Sequence, residues 1–254
     1  MARFFFLTAV AAMLAAACTT TSPTGRTQLN LVSDAEIQQM GVTAFEQMKQ
    51  KVPPTTDGRV SGYVSCVANA ITREVGGGNW EVRVFNDKQV NAFALPGGKI
   101  GVYSGLLRVA SNQDQLASVI AHEVSHVIAR HHNARISNQM ATQLGSVLVG
   151  GAVGVDPNLI NAGAGVFLLR FDRKDESEAD QLGQDVMARA GFDPRQSIEL
   201  WYRMQQAETG NAPPPWLSTH PSHEARIRDL TAHLSQTMPV YQQAQASGKR
   251  PRCS

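Results

Sequence analysis

Excess charge of either sign is missing from this chain: 23 Lys and Arg stand against 21 Asp and Glu among 254 residues, a net of +2. Nucleic-acid binding calls for a basic face, so this balance argues against such a partner. No internal repeat and no low-complexity block is present, which leaves one core in one domain of ordinary size. A run able to cross a bilayer as a helix is missing too. The apolar stretch from Phe4 to Ala17 is too short, and the one from Leu144 to Phe171 is cut in two by Asp156-Pro157-Asn158. That second, glycine-rich stretch is expected to form core or cover elements, and as a cover it would move to admit substrate.

What is present is His122-Glu123-Val124-Ser125-His126. Two histidines at i and i+4 on a helix lie roughly 40° apart around its axis, so both imidazoles reach one ion. The glutamate between them reaches a water on that ion, which is the HExxH arrangement of a zinc-dependent peptidase with Glu123 as general base. The helix context agrees. Ser111 with Asp114 reads as a capping box, and Leu116, Val119, Ile120, Val124, Val127 and Ile128 form an apolar stripe.

Zinc needs a third protein ligand and an open position. No glycine follows at position 129, and His132 falls on the wrong face of a continuing helix, so the third ligand comes from elsewhere. Glu176 and Asp180 share one face of a second helix, where Glu176 can ligate while Asp180 accepts from a ligand histidine. Glu178 points about 200° away from Glu176 and is expected to be solvated. His131 and His132 are expected in an exposed last turn, where positive charge suits the helix dipole.

The combination of Asn91-Ala92-Phe93-Ala94-Leu95-Pro96-Gly97-Gly98-Lys99-Ile100, Ser104-Gly105-Leu106-Leu107, the HExxH stretch with Ala129-Arg130-His131-His132, Glu176 to Gly183, and Thr219-His220-Pro221 resembles the zinc metallopeptidase family of the CAAX prenyl endopeptidases and their soluble bacterial relatives. The resemblance spans about residues 30 to 235. It implies an α+β, mainly α-helical, zincin-like (gluzincin) fold with about three strands beside the HExxH helix. It also implies one Zn²⁺ per chain on His122, His126 and Glu176. His220 then either stabilises the oxyanion or blocks the fourth zinc position, and Lys99-Ile100-Gly101-Val102-Tyr103 is the candidate edge strand that pairs with a substrate backbone. The function implied is endopeptidase cleavage of misfolded or misassembled envelope proteins. The alternative is a chaperone-like outer-membrane assembly factor with a self-inhibited zinc site, partnered by outer-membrane assembly machinery.

Met1-Ala2-Arg3 and the apolar run to Ala17 describe a signal peptide, and Leu14-Ala15-Ala16-Ala17-Cys18 resembles a lipoprotein cleavage box. Lipidation of Cys18 would anchor the chain to the outer membrane from the periplasm, with residues 18–30 as a tether. The peptidase domain then covers 31–240 and a tail 241–254. Cys66 and Cys253 either pair or remain single. Helices are expected over Asp34–Lys51 and Asp57–Glu74, with strands at Trp80–Phe85, Ala92–Leu95 and Ile100–Tyr103. Gly191 to Pro194 ends the Glu176 helix, one through Trp201 follows it, and a last helix turns Ile227, Leu230 and Leu234 inward. His223 is expected to start that last helix.

Overall fold

The computed structural model describes residues 19–76, 78–150, 165, 167, 170–207, 215–220 and 224–254. The expected leader with Cys18, most of the glycine-rich stretch from 151 on, and Pro221-Ser222-His223 lie outside the described residues. Among those described, no helix is long and apolar enough to cross a membrane.

The chain starts with a hairpin, β1 (Thr19–Thr21) antiparallel to β2 (Thr27–Leu29). The expected tether is therefore folded. Arg26 holds it down through ion pairs to Asp175 and Glu178, and Ser137 Oγ accepts from Leu31 N at 2.8 Å. Helix α1 (Asp34–Lys51) opens on a Ser33/Glu36 capping box, and α2 (Gly58–Val75) on Asp57, whose carboxylate accepts from the N–H groups of Arg59 and Val60.

Three strands follow: β3 (Glu81–Phe85), β4 (Ala92–Leu95) and β5 (Lys99–Tyr103). Gly97 and Gly98, with φ of 83° and 71°, make the tight β4–β5 turn that a side chain would strain. The order is β3-β5-β4, with β5 parallel to β3 and antiparallel to β4. Lys99–Tyr103 is thus the central strand, not the edge. Its hairpin partner takes one side and β3 docks on the other, which leaves β4 as the edge beside the next helix. Beneath the sheet Phe45, Phe85, Phe93 and Tyr103 pack edge-to-face or tilted, with centroids 5.7 to 6.2 Å apart.

Helix α3 (Gln113–Ile128) is buried from Gln115 to His126 on every face, more than a one-sided stripe requires. Its cap is Asn112, whose side chain accepts from Gln115 N at 2.8 Å, rather than Ser111. Ser111 Oγ is spent on Gln115 Oε1, and Asp114 accepts instead from Asp193 N at 2.7 Å. The helix does not run on: Arg130 has φ 59°, the left-handed region, and α4 (His131–Gly150) starts in a new direction.

Helix α5 (Arg173–Arg189), capped by Asp172, lies along α3. It is followed by α6 (Arg195–Ala207), the short α7 (Pro215–Thr219) and α8 (Glu224–Ala246). α8 carries the chain six residues past the expected domain end at 240, and Leu230 is buried while Ile227 is partly so. Cys66 and Cys253 are joined in a disulfide with Cα atoms 5.6 Å apart, which fastens the last residues to α2. The main core lies between α2, α3, α5 and α6 and the upper face of the sheet.

The α3–α5 contact turns on Gly183. A Cβ there would sit 3.0 Å from His122 N and 3.1 Å from His122 Cα. Backbone atoms inside a buried helix cannot step aside cheaply, so Gly183→Val is expected to cost about 1–3 kcal/mol through overpacking. Thermal unfolding checks this: a clear drop in midpoint agrees, an unchanged midpoint does not.

Candidate metal centre

Four buried side chains from three parts of the chain converge here. α3 supplies His122 and His126, α5 supplies Glu176, and the residue after α7 supplies His220. One donor atom from each lies within 4.8 Å of all the others. His122 Nε2 and His126 Nε2 are 3.1 Å apart, and each lies 3.6 Å from a Glu176 oxygen. His220 Nδ1 is 2.9 Å from Glu176 Oε1 and 3.2 Å from His122 Nε2.

Each partner ring is held from behind. Asp180 Oδ1 lies 3.0 Å from His122 Nδ1, on the side away from the cluster. His126 stacks on Phe171 with ring centroids 3.8 Å apart. Glu123 Oε1 accepts from Trp216 Nε1 at 2.7 Å and lies 3.4 Å from His220 Nε2. It also borders a cleft of about 220 Å³ lined by Ala92, Phe93, Ala94, Phe171 and His220.

Arg226 on α8 underpins the carboxylates. Its guanidinium, buried over the Trp201 ring at 4.0 Å, gives Nη1 to Glu176 Oε2 at 2.7 Å and Nε to Asp180 Oδ2 at 2.6 Å. Burial alone would raise both carboxyl pKa values. Charge overrides it: His220 and Arg226 hold Glu176 well below the usual carboxylate range, and Arg226 with His122 holds Asp180 low. Burial likewise opposes a charge on His122, but the Asp180 and Glu176 carboxylates outweigh it and raise that imidazole to about 9. His126 goes the other way, pushed down by burial and by the neighbouring imidazoles.

These opposed shifts say what the site lacks without a metal. Three ring nitrogens and a carboxylate point into one small volume, and a positive charge must sit among them. Without a metal, His122 is the ring whose proton the Asp180 and Glu176 carboxylates favour. A metal ion on His122, His126 and Glu176 replaces it, with two imidazoles and one carboxylate as a donor set suited to a borderline-soft cation. The residues therefore fit the group.

Several expected positions need correction. Glu178 is not solvated: it is buried, accepts from Thr24 Oγ1 at 2.6 Å and lies 3.2 Å from His131 Nε2, because α5 is covered on that side by the β1–β2 hairpin. His131 and His132 are not exposed. The break at Arg130 folds both rings inward, His131 beneath His126 and His132 Nε2 onto the Ala94 carbonyl at 2.9 Å. Arg226 and Trp216 carry no motif; the one signal for Arg226 is a charge one turn before buried Leu230.

A model of peptidase family M48 matches residues 54–234. The mitochondrial metalloendopeptidase OMA1 of Saccharomyces cerevisiae is 36% identical over 178 residues, 66% of this chain and 51% of that protein. Its namesake in Schizosaccharomyces pombe is 39% identical over 180 residues, 68% of this chain and 52% of that protein. The beta-barrel assembly-enhancing protease of Escherichia coli is 30% identical over 229 residues, 84% of this chain and 47% of that protein. The chain spans about half the length of these curated relatives. The mitochondrial relatives overturn the expected periplasmic, outer-membrane location, since the matched core also serves proteins named for another compartment.

If a metal displaces the His122 proton, binding must release it, and affinity must depend on pH. With Co²⁺ as an optical probe, apparent affinity is expected to climb through neutral pH and level off near 9, where the proton is lost unaided. A flat profile between pH 6 and 9 would contradict the exchange.

Proposed function

The chain belongs to peptidase family M48, and from that premise we propose that it is a zinc-dependent endopeptidase with Glu123 as its general base. The observation that carries this reading is the position of the Glu123 carboxylate, between the converged donors and a cleft bounded by the open edge of β4. Zn²⁺ held by His122, His126 and Glu176 would supply Lewis-acid polarisation of the scissile carbonyl and acidify a water. Glu123 takes the proton from the attacking water and returns it to the leaving amine. The indole N–H of Trp216 donates to Glu123 Oε1 and holds the carboxylate beside His220. Asp180 keeps the His122 ring oriented, and Arg226 keeps Asp180 and Glu176 charged.

Substrate is held by its main chain. Asn91 O accepts from Tyr103 N, so the main-chain groups of Asn91, Phe93 and Leu95 face β5; on the outer side His132 Nε2 takes the Ala94 carbonyl and Asn91 Oδ1 accepts from Ala92 N, which turns Ala92 O and Ala94 N to an added strand. An extended peptide that adds to β4 there lies across the cleft and passes Glu123. Such reading of backbone suits substrates with exposed, unfolded segments. The beta-barrel assembly-enhancing relative supports misfolded or misassembled membrane proteins as the substrate class.

His220 favours a second reading of the resting state. With Nδ1 at 2.9 Å from Glu176 and Nε2 at 3.4 Å from Glu123, it occupies the place of a fourth donor. In that role it blocks the centre until substrate displaces it, and the unliganded protein acts as an assembly factor. As an oxyanion donor it would instead remain and assist. His220→Ala separates the two: activity rises in the first case and falls in the second.

Casein cleavage inhibited by EDTA tests the main reading. Glu123→Gln is expected to keep one zinc per chain and lose about 10²–10⁴-fold in rate, the usual worth of a general base. Cleavage at the unsubstituted rate by that variant would remove Glu123 from the chemistry.

A further inference from the structure

The two histidines of α3 are held from behind in different ways. His122 Nδ1 faces a carboxylate directly. His126 Nδ1 faces another imidazole: it lies 2.9 Å from His131 Nδ1 in a fully buried contact. His131 Nε2 in turn lies 3.2 Å from Glu178 Oε2. Glu178 receives the Thr24 hydroxyl at 2.6 Å on its other oxygen, and Arg26 Nε sits 2.9 Å from Oε2. Thr24 and Arg26 both belong to the β1–β2 hairpin. A continuous line therefore runs from the metal cluster to the N-terminal segment.

Only one placement of protons satisfies this line in neutral rings. A neutral imidazole has one N–H and one bare nitrogen. If His126 Nε2 is to bind a metal, its hydrogen must be on Nδ1, and that N–H needs an acceptor. His131 Nδ1 is the group within reach, so it must be bare. The hydrogen of His131 then belongs on Nε2, where the Glu178 carboxylate accepts it. Reverse any one hydrogen and either two N–H groups or two lone pairs meet in a dry interior, which costs far more than it returns.

We propose that His131 is a positioning residue for the metal centre: it accepts from His126 Nδ1 and so fixes the His126 ring with Nε2 bare, while Glu178, braced by Thr24 and Arg26, fixes His131. The left-handed residue Arg130 is what makes this possible. Had α3 continued, the ring five residues after His126 could not have turned back beneath it. The inference rests on His122, His126 and Glu176 as metal ligands.

Zinc affinity of the full chain, measured by competition with a chromophoric chelator, tests it. His131→Phe keeps the bulk and loses the acceptor, and is expected to bind Zn²⁺ about 10–100-fold more weakly. His131→Asn puts an amide oxygen where Nδ1 was and is expected to recover most of that loss. Equal affinity in His131→Phe and the unsubstituted protein overturns the proposal, as does His131→Asn binding no better than His131→Phe. Should the unsubstituted chain itself fail to bind Zn²⁺, the ligand assignment fails and not merely the relay. Nitrogen NMR of the zinc-loaded, unsubstituted protein gives a reading independent of how the variants fold. A bare Nδ1 and protonated Nε2 on His131 agree, and the opposite tautomer overturns the proposal.

Discussion

Backbone-to-backbone approach of α3 and α5 at Gly183 is the constraint on which the rest of this structure depends. Histidines spaced one turn apart on α3 can hold a cation only loosely by themselves. Gly183, one and a half to two turns beyond Glu176 on α5, lets the two helices close until atoms at position 183 meet the main chain of His122. That approach sets Glu176 against both rings, and Asp180 behind the first of them. A side chain at the crossing would press on the His122 main chain and force a shift of a few tenths of an ångström or more at the residue that carries a donor. Packing, here, is what decides coordination.

Such an approach gathers charges that repel water-free surroundings and must be matched within the protein. Two carboxylates of α5 face three imidazoles, and one buried guanidinium from α8 is inserted between the carboxylates. Arg226 is suited to this because its planar fork serves Glu176 and Asp180 at once, while its face lies on Trp201. An unpaired carboxylate in the same place would be neutralised by a proton and lost as a ligand. The α8 helix, remote in sequence, is therefore a structural condition for the ligand role of α5. The disulfide between Cys66 and Cys253 ties down the residues after it, and Cys253 N donates to Gln113 Oε1 at the start of α3.

Much of this was legible in the residues alone, and for a physical reason. Helical period fixes how His122, His126, Glu176 and Asp180 project, so a local rule is enough to group them. The same rule misplaced Glu178, His131 and His132, because it assumes solvent on the far side of each helix and no break between helices. The hairpin that covers Glu178 was hidden by its polar composition, which resembles that of a tether. The left-handed Arg130 carries no residue-type signal, since glycine or asparagine would be the usual sign of such a bend. Strand existence was readable from alternation, but strand order was not: the parallel pairing of β3 to β5 is a long-range choice, and it moved the open edge from β5 to β4. Asn112 takes the cap in place of Ser111: its Oδ1 accepts from Gln115 N, while the Ser111 hydroxyl and N–H both donate to the Gln115 side chain.

The central claim is that a carboxylate from α5 completes a metal shell begun by two imidazoles of α3. Calorimetric titration of Zn²⁺ into Glu176→Gln tests it most directly, because the amide keeps the size and polarity of the side chain and removes the charge. With the fold intact by circular dichroism, affinity at least about a hundredfold below that of the unsubstituted chain is the predicted result. Binding of Zn²⁺ by Glu176→Gln with undiminished affinity would contradict the account.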